Sequence, residues 1–280
     1  MKKGLKFIYD VVYGIFRDDV GAFSAQAAFF MTISFIPFIM LAISGIKFLP
    51  LSKDALIAHA SAVFPAGAKG LVKNFLEEAY QKGGAKVISI TAVSSLWSAS
   101  IGVFAITNGL NRVYCANETR NYILVRIASI FYTLIILIMI ILCMAIFVFS
   151  RPIVTSIERY LPSFFHTALL IMSIRKILGI VVLGVFFTLI YTFAPNRRGN
   201  ILMQTPGALL SGFGWVIFSS LFSFYYEHTS NYSYLYGSLS TLVFFMLWMF
   251  MCMYILFIGA EINKCLENKM RRDINGTRQV

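Results

Sequence analysis

The chain has 280 residues, of which 59% are hydrophobic and 13% charged. That is about half the charged share of a soluble globular protein, so the composition excludes an ordinary soluble domain and reads as an integral membrane protein. The formal net charge is +12, but the basic residues are scattered and form no single stripe, which points to anionic lipid headgroups and away from nucleic acid.

Residues 1–22 place Phe7, Ile8, Val11, Val12, Ile15 and Phe16 at helical spacing beside Lys2, Lys3, Lys6 and Arg17. The spacing predicts an amphipathic helix along the inner membrane interface. Six charge-poor runs near the roughly 20 residues needed to cross a bilayer then follow in a membrane domain over 23–262, at about 23–47, 87–107, 123–149, 177–194, 207–226 and 236–262. Their continuous apolarity excludes the alternating strands of an outer-membrane barrel, and the first is too long for the core of a cleavable signal. The expected fold class is therefore all-α, a polytopic bundle of about six transmembrane helices with amphipathic interfacial helices.

In the first span, Pro37 is expected to kink the helix, because it removes one backbone bond and crowds the preceding turn. Between the first two spans, 50–86 carries two apolar stripes divided by Pro65-Ala66-Gly67. It predicts an outer helical hairpin, either lying on lipid or covering the mouth of the bundle. The second span repeats Ser98, Gly102, Ala105 and Gly109 on a narrow face suited to close helix contact. At its end Asn108, Asn111 and Arg112 share adjoining surface. They serve either helix packing, with Arg112 snorkelling to phosphate, or a polar inner mouth.

Pro152 and Pro162 bracket a further short interfacial helix over 150–166. A tight turn, Pro195-Asn196-Arg197-Arg198, precedes the fifth span, where Pro206 is placed at the helix start and Gly207, Ala208, Ser211 and Gly212 provide a close crossing. Tyrosines from Tyr225 to Tyr236 form an outer aromatic belt. The last run ends in Glu261, Asn263 and Lys264 and passes into a basic tail over 263–280. A carboxylate at the C-terminal end of a helix opposes the helix dipole, so Glu261 calls for a cationic partner, Arg112 or the Arg197-Arg198 turn, as a structural clamp or a gate.

The side that holds both termini collects more of the Lys and Arg, whereas the 227–235 loop has none, which places both termini in the cytoplasm. Cys115 and Cys265 then face the cytoplasm, Cys143 and Cys252 lie within spans, and no outer disulfide is expected. Only three histidines are present, His59, His166 and His228, all on the outer side. No metal site, cofactor motif or nucleophile–base pair is evident, so no enzyme is expected.

The segments SAQAAFFMTISFIPF, LWSASIGVFAITNGLNRVYCANETR, FAPNRR, PGALLSGFGW and YGSLSTLVFFMLWMFMCMYILFIGAEIN, in this order over about residues 20–265, resemble the YihY/virulence factor BrkB family. The resemblance implies a bacterial plasma (inner) membrane protein of about six spans that maintains the envelope and is linked to export of lipid precursors. It also marks Trp97, Ser98, Ala99, Asn111, Tyr114, Glu118, Pro195-Asn196-Arg197, Pro206-Gly207, Tyr236-Gly237-Ser238, Gly259-Ala260-Glu261 and Asn263; Ser240 stands where many relatives have Gly. Asn108, Asn111, Arg112, Glu118, Arg197, Glu261 and Asn263 thus become the candidate cluster at the inner mouth. Movement of a lipid-like amphipath is the expected function, a scaffold for other envelope proteins the alternative. The ribonuclease BN label attached to such proteins finds no metal-binding cluster in this sequence.

Overall fold

A computed structural model of the protein describes residues 2–46, 85–139, 181–228 and 238–277. All regular structure among them is helical: α1 (Lys2–Arg17), α2 (Val20–Ile46), α3 (Ala85–Val113), α4 (Tyr122–Met139), α5 (Val181–Phe193), α6 (Ile201–His228) and α7 (Ser238–Thr277). Val93–Val113, Tyr122–Met139, Ile201–Tyr225 and Leu242–Arg272 are long and apolar enough to cross a bilayer, and Val20–Phe35 and Val181–Phe193 are shorter apolar stretches. Among the described residues, then, four helices are long enough to cross, where six runs were expected. The hairpin expected over 50–86 lies outside the described residues up to 84, as do the 150–166 helix, the tyrosines at 232, 234 and 236, Cys143, His59 and His166.

Local chemistry sets the helix ends. Arg17 closes α1, where a cation suits the dipole, and an elbow of only Asp18 and Asp19 leads into α2. Asp19 adopts φ 53°, a left-handed conformation that Asp tolerates better than most residues, and its carbonyl accepts from the Phe23 N–H at 3.1 Å. Residues 20–22 therefore belong to the first membrane helix and not to the amphipathic segment. At the end of α3 the Cys115 N–H donates to the Arg112 carbonyl (3.1 Å) and the Ala116 N–H to the Asn111 carbonyl (2.8 Å), a Schellman cap with Cys115 at the left-handed position (φ 52°). Asn121 caps α4 and Asn200 caps α6, each through its side-chain oxygen.

Two expectations about helix ends are corrected. Asn200 starts α6 at Ile201, so Pro206 sits inside the helix and not at its first position. The last helix does not stop at Ile262 but runs unbroken to Thr277, so the basic tail begins as a continuation of α7. Forty residues at 1.5 Å each make α7 about 60 Å long, twice the hydrocarbon thickness, and its C-terminal part stands clear of the bilayer interior. Pro37 lies inside α2.

The chain divides into two compact units. One comprises Met1–Phe30, Phe104–Val125 and Leu178–Val280. In it α6 packs along α7, α1 packs on α7, and Leu110, Phe187, Tyr191, Met253 and Phe257 form the buried core. The other comprises Met31–Val103 and Arg126–Ile177. There Gly102 abuts Met31, the Ser34 hydroxyl donates to the Ser98 carbonyl at 3.1 Å, and Arg126 donates to the Trp97 carbonyl at 2.8 Å while covering the Trp97 ring.

Candidate functional site

In the first unit, the α1–α2 elbow, the end of α3, the α5–α6 turn and the C-terminal half of α7 meet, and their polar side chains form three linked sets. The first surrounds the amide of Asn111. Its Nδ2 donates to Glu118 Oε2 (2.7 Å) and its Oδ1 accepts from the Asn196 backbone N–H (2.7 Å), tying the α3–α4 connection to the α5–α6 turn. Asn196 Nδ2 donates in turn to the Asn117 carbonyl and the Thr119 hydroxyl, both at 2.9 Å. Glu118 accepts a fork from Arg120 Nε (2.8 Å) and Nη2 (2.7 Å), and this hydrogen-bonded guanidinium holds the Glu118 carboxyl below the ordinary range.

The second set joins α6 to α7. Asn263 is fully buried; its Oδ1 accepts from the Gly207 N–H (2.7 Å) and its Nδ2 donates to the Gln204 carbonyl (2.9 Å). Gln204 also accepts from the Tyr114 hydroxyl (2.8 Å) and donates to Glu267. Arg197 reaches Glu267 through Nη1 (2.6 Å), with its guanidinium 3.5 Å from the centre of the Tyr114 ring. Burial raises the Tyr114 hydroxyl above its ordinary value, which keeps it a neutral donor.

Glu261 anchors the third set, against expectation. Neither Arg112 nor Arg197 is its partner: Arg112 pairs with Asp19 (3.3 Å, both exposed) and Arg197 with Glu267. Because α7 continues, Lys264 lies one turn beyond Glu261 on the same face and pairs with it at 3.3 Å. Lys264 also bonds Asp18, which takes a fork from Arg17 Nε (3.0 Å) and Nη2 (2.9 Å). Gly14 permits this approach, since a Cβ there would collide with the Glu261 carboxylate. Burial alone would raise the Asp18 carboxyl; the bonds from Arg17 and Lys264 outweigh it and hold the group low, and the same bond to Asp18 raises Arg17.

Of the seven candidate residues, Asn111 and Glu118 fall in the first set, Arg197 and Asn263 in the second and Glu261 in the third. Arg112 stands at the exposed rim and Asn108, half-buried on α3, joins none of the sets. Sequence reasoning missed Asp18, Gln204 and Glu267. The spacing Asn263–Glu267 of four and Glu261–Lys264 of three, two polar stripes on one helix, was the readable signal for Glu267. Small residues sit at close contacts in this unit: Gly109 takes the Phe257 ring, Gly207 lies against the Gly259 carbonyl, and Gly259, not among the expected packing residues, against Ser211 and the Tyr191 hydroxyl. Gly212 has only ordinary contacts with Leu183 and Gly184. Among the described residues no group of His, Cys, Asp and Glu is disposed to hold a metal ion.

Fold and site together define a polytopic helical membrane protein with a bonded polar cluster in its first unit. The family profile described as Virulence factor BrkB matches residues 11–279, and the chain belongs to that family. It is 32% identical over 252 residues to the putative ribonuclease-like protein YfkH of Bacillus subtilis (strain 168), covering 89% of this chain and 90% of that one. It is 22% identical over 263 residues to a UPF0761 membrane protein of Pseudoalteromonas atlantica (strain T6c / ATCC BAA-1087), covering 90% of this chain and 82% of that one. No solved structure matches the chain.

Proposed function

We propose that the protein resides in the bacterial inner membrane with both termini cytoplasmic and moves an amphipathic, lipid-like molecule in maintaining the envelope. The observation that supports this most is the gathering of buried, mutually bonded polar side chains at one end of helices whose outer faces expose large apolar residues such as Leu202, Phe213 and Leu221. A lipid needs a polar route only for its head, because its tails can remain in hydrocarbon. A scaffold for other envelope proteins would need small-residue faces left open, whereas Gly102, Gly109, Gly207 and Gly259 are all occupied within the chain. The name ribonuclease-like belongs to the Bacillus relative; for this chain the reading assigns no nuclease step.

The test is reconstitution of the purified protein into liposomes with fluorescent phospholipid in one leaflet, followed by an impermeant quencher. Faster transfer than in empty liposomes, slowed by Asn111→Ala, is the expected result. Transfer no faster than in empty liposomes across headgroups and gradients would remove the transport reading and favour the scaffold.

A further inference from the structure

Arg197 is held in an unusual way. Nη1 is taken by Glu267 and the guanidinium face by the Tyr114 ring, but Nε and Nη2 are buried and, among the described residues, have no hydrogen-bond partner. These two nitrogens form one edge of the guanidinium, with parallel N–H groups at the spacing of two oxygens of an oxyanion. The chain uses that same edge twice elsewhere, Arg17 on Asp18 and Arg120 on Glu118, each as a two-bond fork to a carboxylate. At Arg197 the same edge is formed, and its two nitrogens have no acceptor among the described residues. A buried donor without an acceptor carries a desolvation cost, so an empty fork on a fixed arginine points to a ligand.

Its surroundings favour an anion. Arg120 donates to the Ala194 carbonyl, at the start of the same turn, and Arg198 is exposed beside Arg197, so three arginines stand against Glu118 and Glu267. The cover over the fork is thin. Gly199 passes Nη2 with backbone alone, and Arg198 and Asn200 on either side of it are exposed.

We propose that the Nε–Nη2 edge of Arg197 is a binding site for a phosphoryl oxyanion, reached when the Arg198–Asn200 segment moves aside. The site accepts two oxygens in the plane of the guanidinium, and the neighbouring arginines offset the remaining charge. This deepens the reading of a lipid-like cargo, on which its assignment to a headgroup rests; the oxyanion site itself would stand if no lipid were moved.

Two variants separate binding from folding. Arg197→Lys keeps a cation for Glu267 and loses the fork. Gly199→Val keeps Arg197 and lays a side chain over Nη2: a Cβ at Gly199 meets Thr192 at 3.6 Å and Nη2 at 3.8 Å, ordinary contacts for that atom. The measurement is thermal stabilisation of the detergent-solubilised full chain at constant ionic strength by inorganic phosphate, by a short-chain phosphatidic acid, and by the matching diacylglycerol. Saturable stabilisation by either phosphorylated compound, absent with the diacylglycerol and weakened at least about tenfold in both variants, supports the site. Stabilisation by phosphatidic acid alone assigns the lipid headgroup, and by inorganic phosphate as well, the free anion. No stabilisation of the wild type, or equal stabilisation of wild type and both variants, overturns the proposal whatever the outcome of the liposome assay.

Discussion

Glu261 lies inside α7, well before its end, with Lys264 one turn further on. A carboxylate at the terminus of a helix ending at Ile262 opposes the dipole; inside a helix that runs to Thr277 it does not, and the cation one turn on is its partner. Lys264 is thereby the common neighbour of two buried carboxylates, Glu261 and Asp18. Replacing it by Met leaves Glu261 unpaired and Asp18 with Arg17 alone, with an expected loss on the order of 3 kcal/mol. Asp18→Asn in the same chain should restore part of that loss, so a double-mutant cycle followed by thermal unfolding should show coupling; additive effects would refute the shared site. Exchanging the charges of Glu261 and Arg112 should show no coupling. The sign of the pH effect follows from Asp18, which Arg17 and Lys264 hold below its ordinary value. The folded chain then binds this proton more weakly than the unfolded one. The contribution is complete above the unfolded value of about 4 and is lost as pH falls through the lower folded value. Melting temperature recorded from pH 7 downward should therefore fall less steeply on the acid side in Asp18→Asn than in the wild type.

At the scale of elements, the crossing of α6 on α7 is decided by two glycines and a buried amide. A Cβ on Gly207 would meet the Gly259 carbonyl and the Asn263 amide, and one on Gly259 would meet the Gly207 carbonyl at 2.7 Å; backbone cannot turn aside as a side chain can. Gly207→Ala and Gly259→Ala should each cost about 1–3 kcal/mol by forcing the helices apart. Gly212→Ala, with its nearest neighbours at 3.6 Å, should be neutral or slightly stabilising through helix propensity. Unfolding of the three variants under one condition checks the ranking, and a Gly212→Ala chain as unstable as Gly207→Ala would count against this crossing. The spacing of the small residues made the crossing legible in the sequence. The start of α6 was less so, because Pro206 is a strong local signal and outweighed the weaker cap at Asn200. The Asp18-Asp19 elbow was missed for a similar reason: apolar periodicity continues from α1 into α2 and hides a two-residue turn.

At the scale of the whole molecule, the lengths of the apolar runs were legible because a bilayer demands them. Partners across helices were not, since they depend on how each helix is rotated about its axis; nothing local in sequence joins Asn111 to Asn196 or Arg197 to Glu267. Those contacts nevertheless bear on topology. The Asn111–Asn196 bond puts the α3–α4 connection and the α5–α6 turn at one end of the first unit, and the Asp19–Arg112 pair brings the α1–α2 elbow to the same end. The three must share a side of the membrane, the cytoplasmic side in the topology proposed above. Cys115 is a native probe for it, being exposed, whereas Cys252 is buried and Cys265 half-buried. With Cys265 replaced by Ser, an impermeant maleimide should label Cys115 in inverted membrane vesicles and leave it unlabelled in intact spheroplasts. Cysteine introduced at Arg198 should follow the same pattern. Labelling of both from outside would invert the topology while leaving the fold intact, because the hydrogen bond requires only that they agree. Labelling of one from each side would break the Asn111–Asn196 contact and the site built on it.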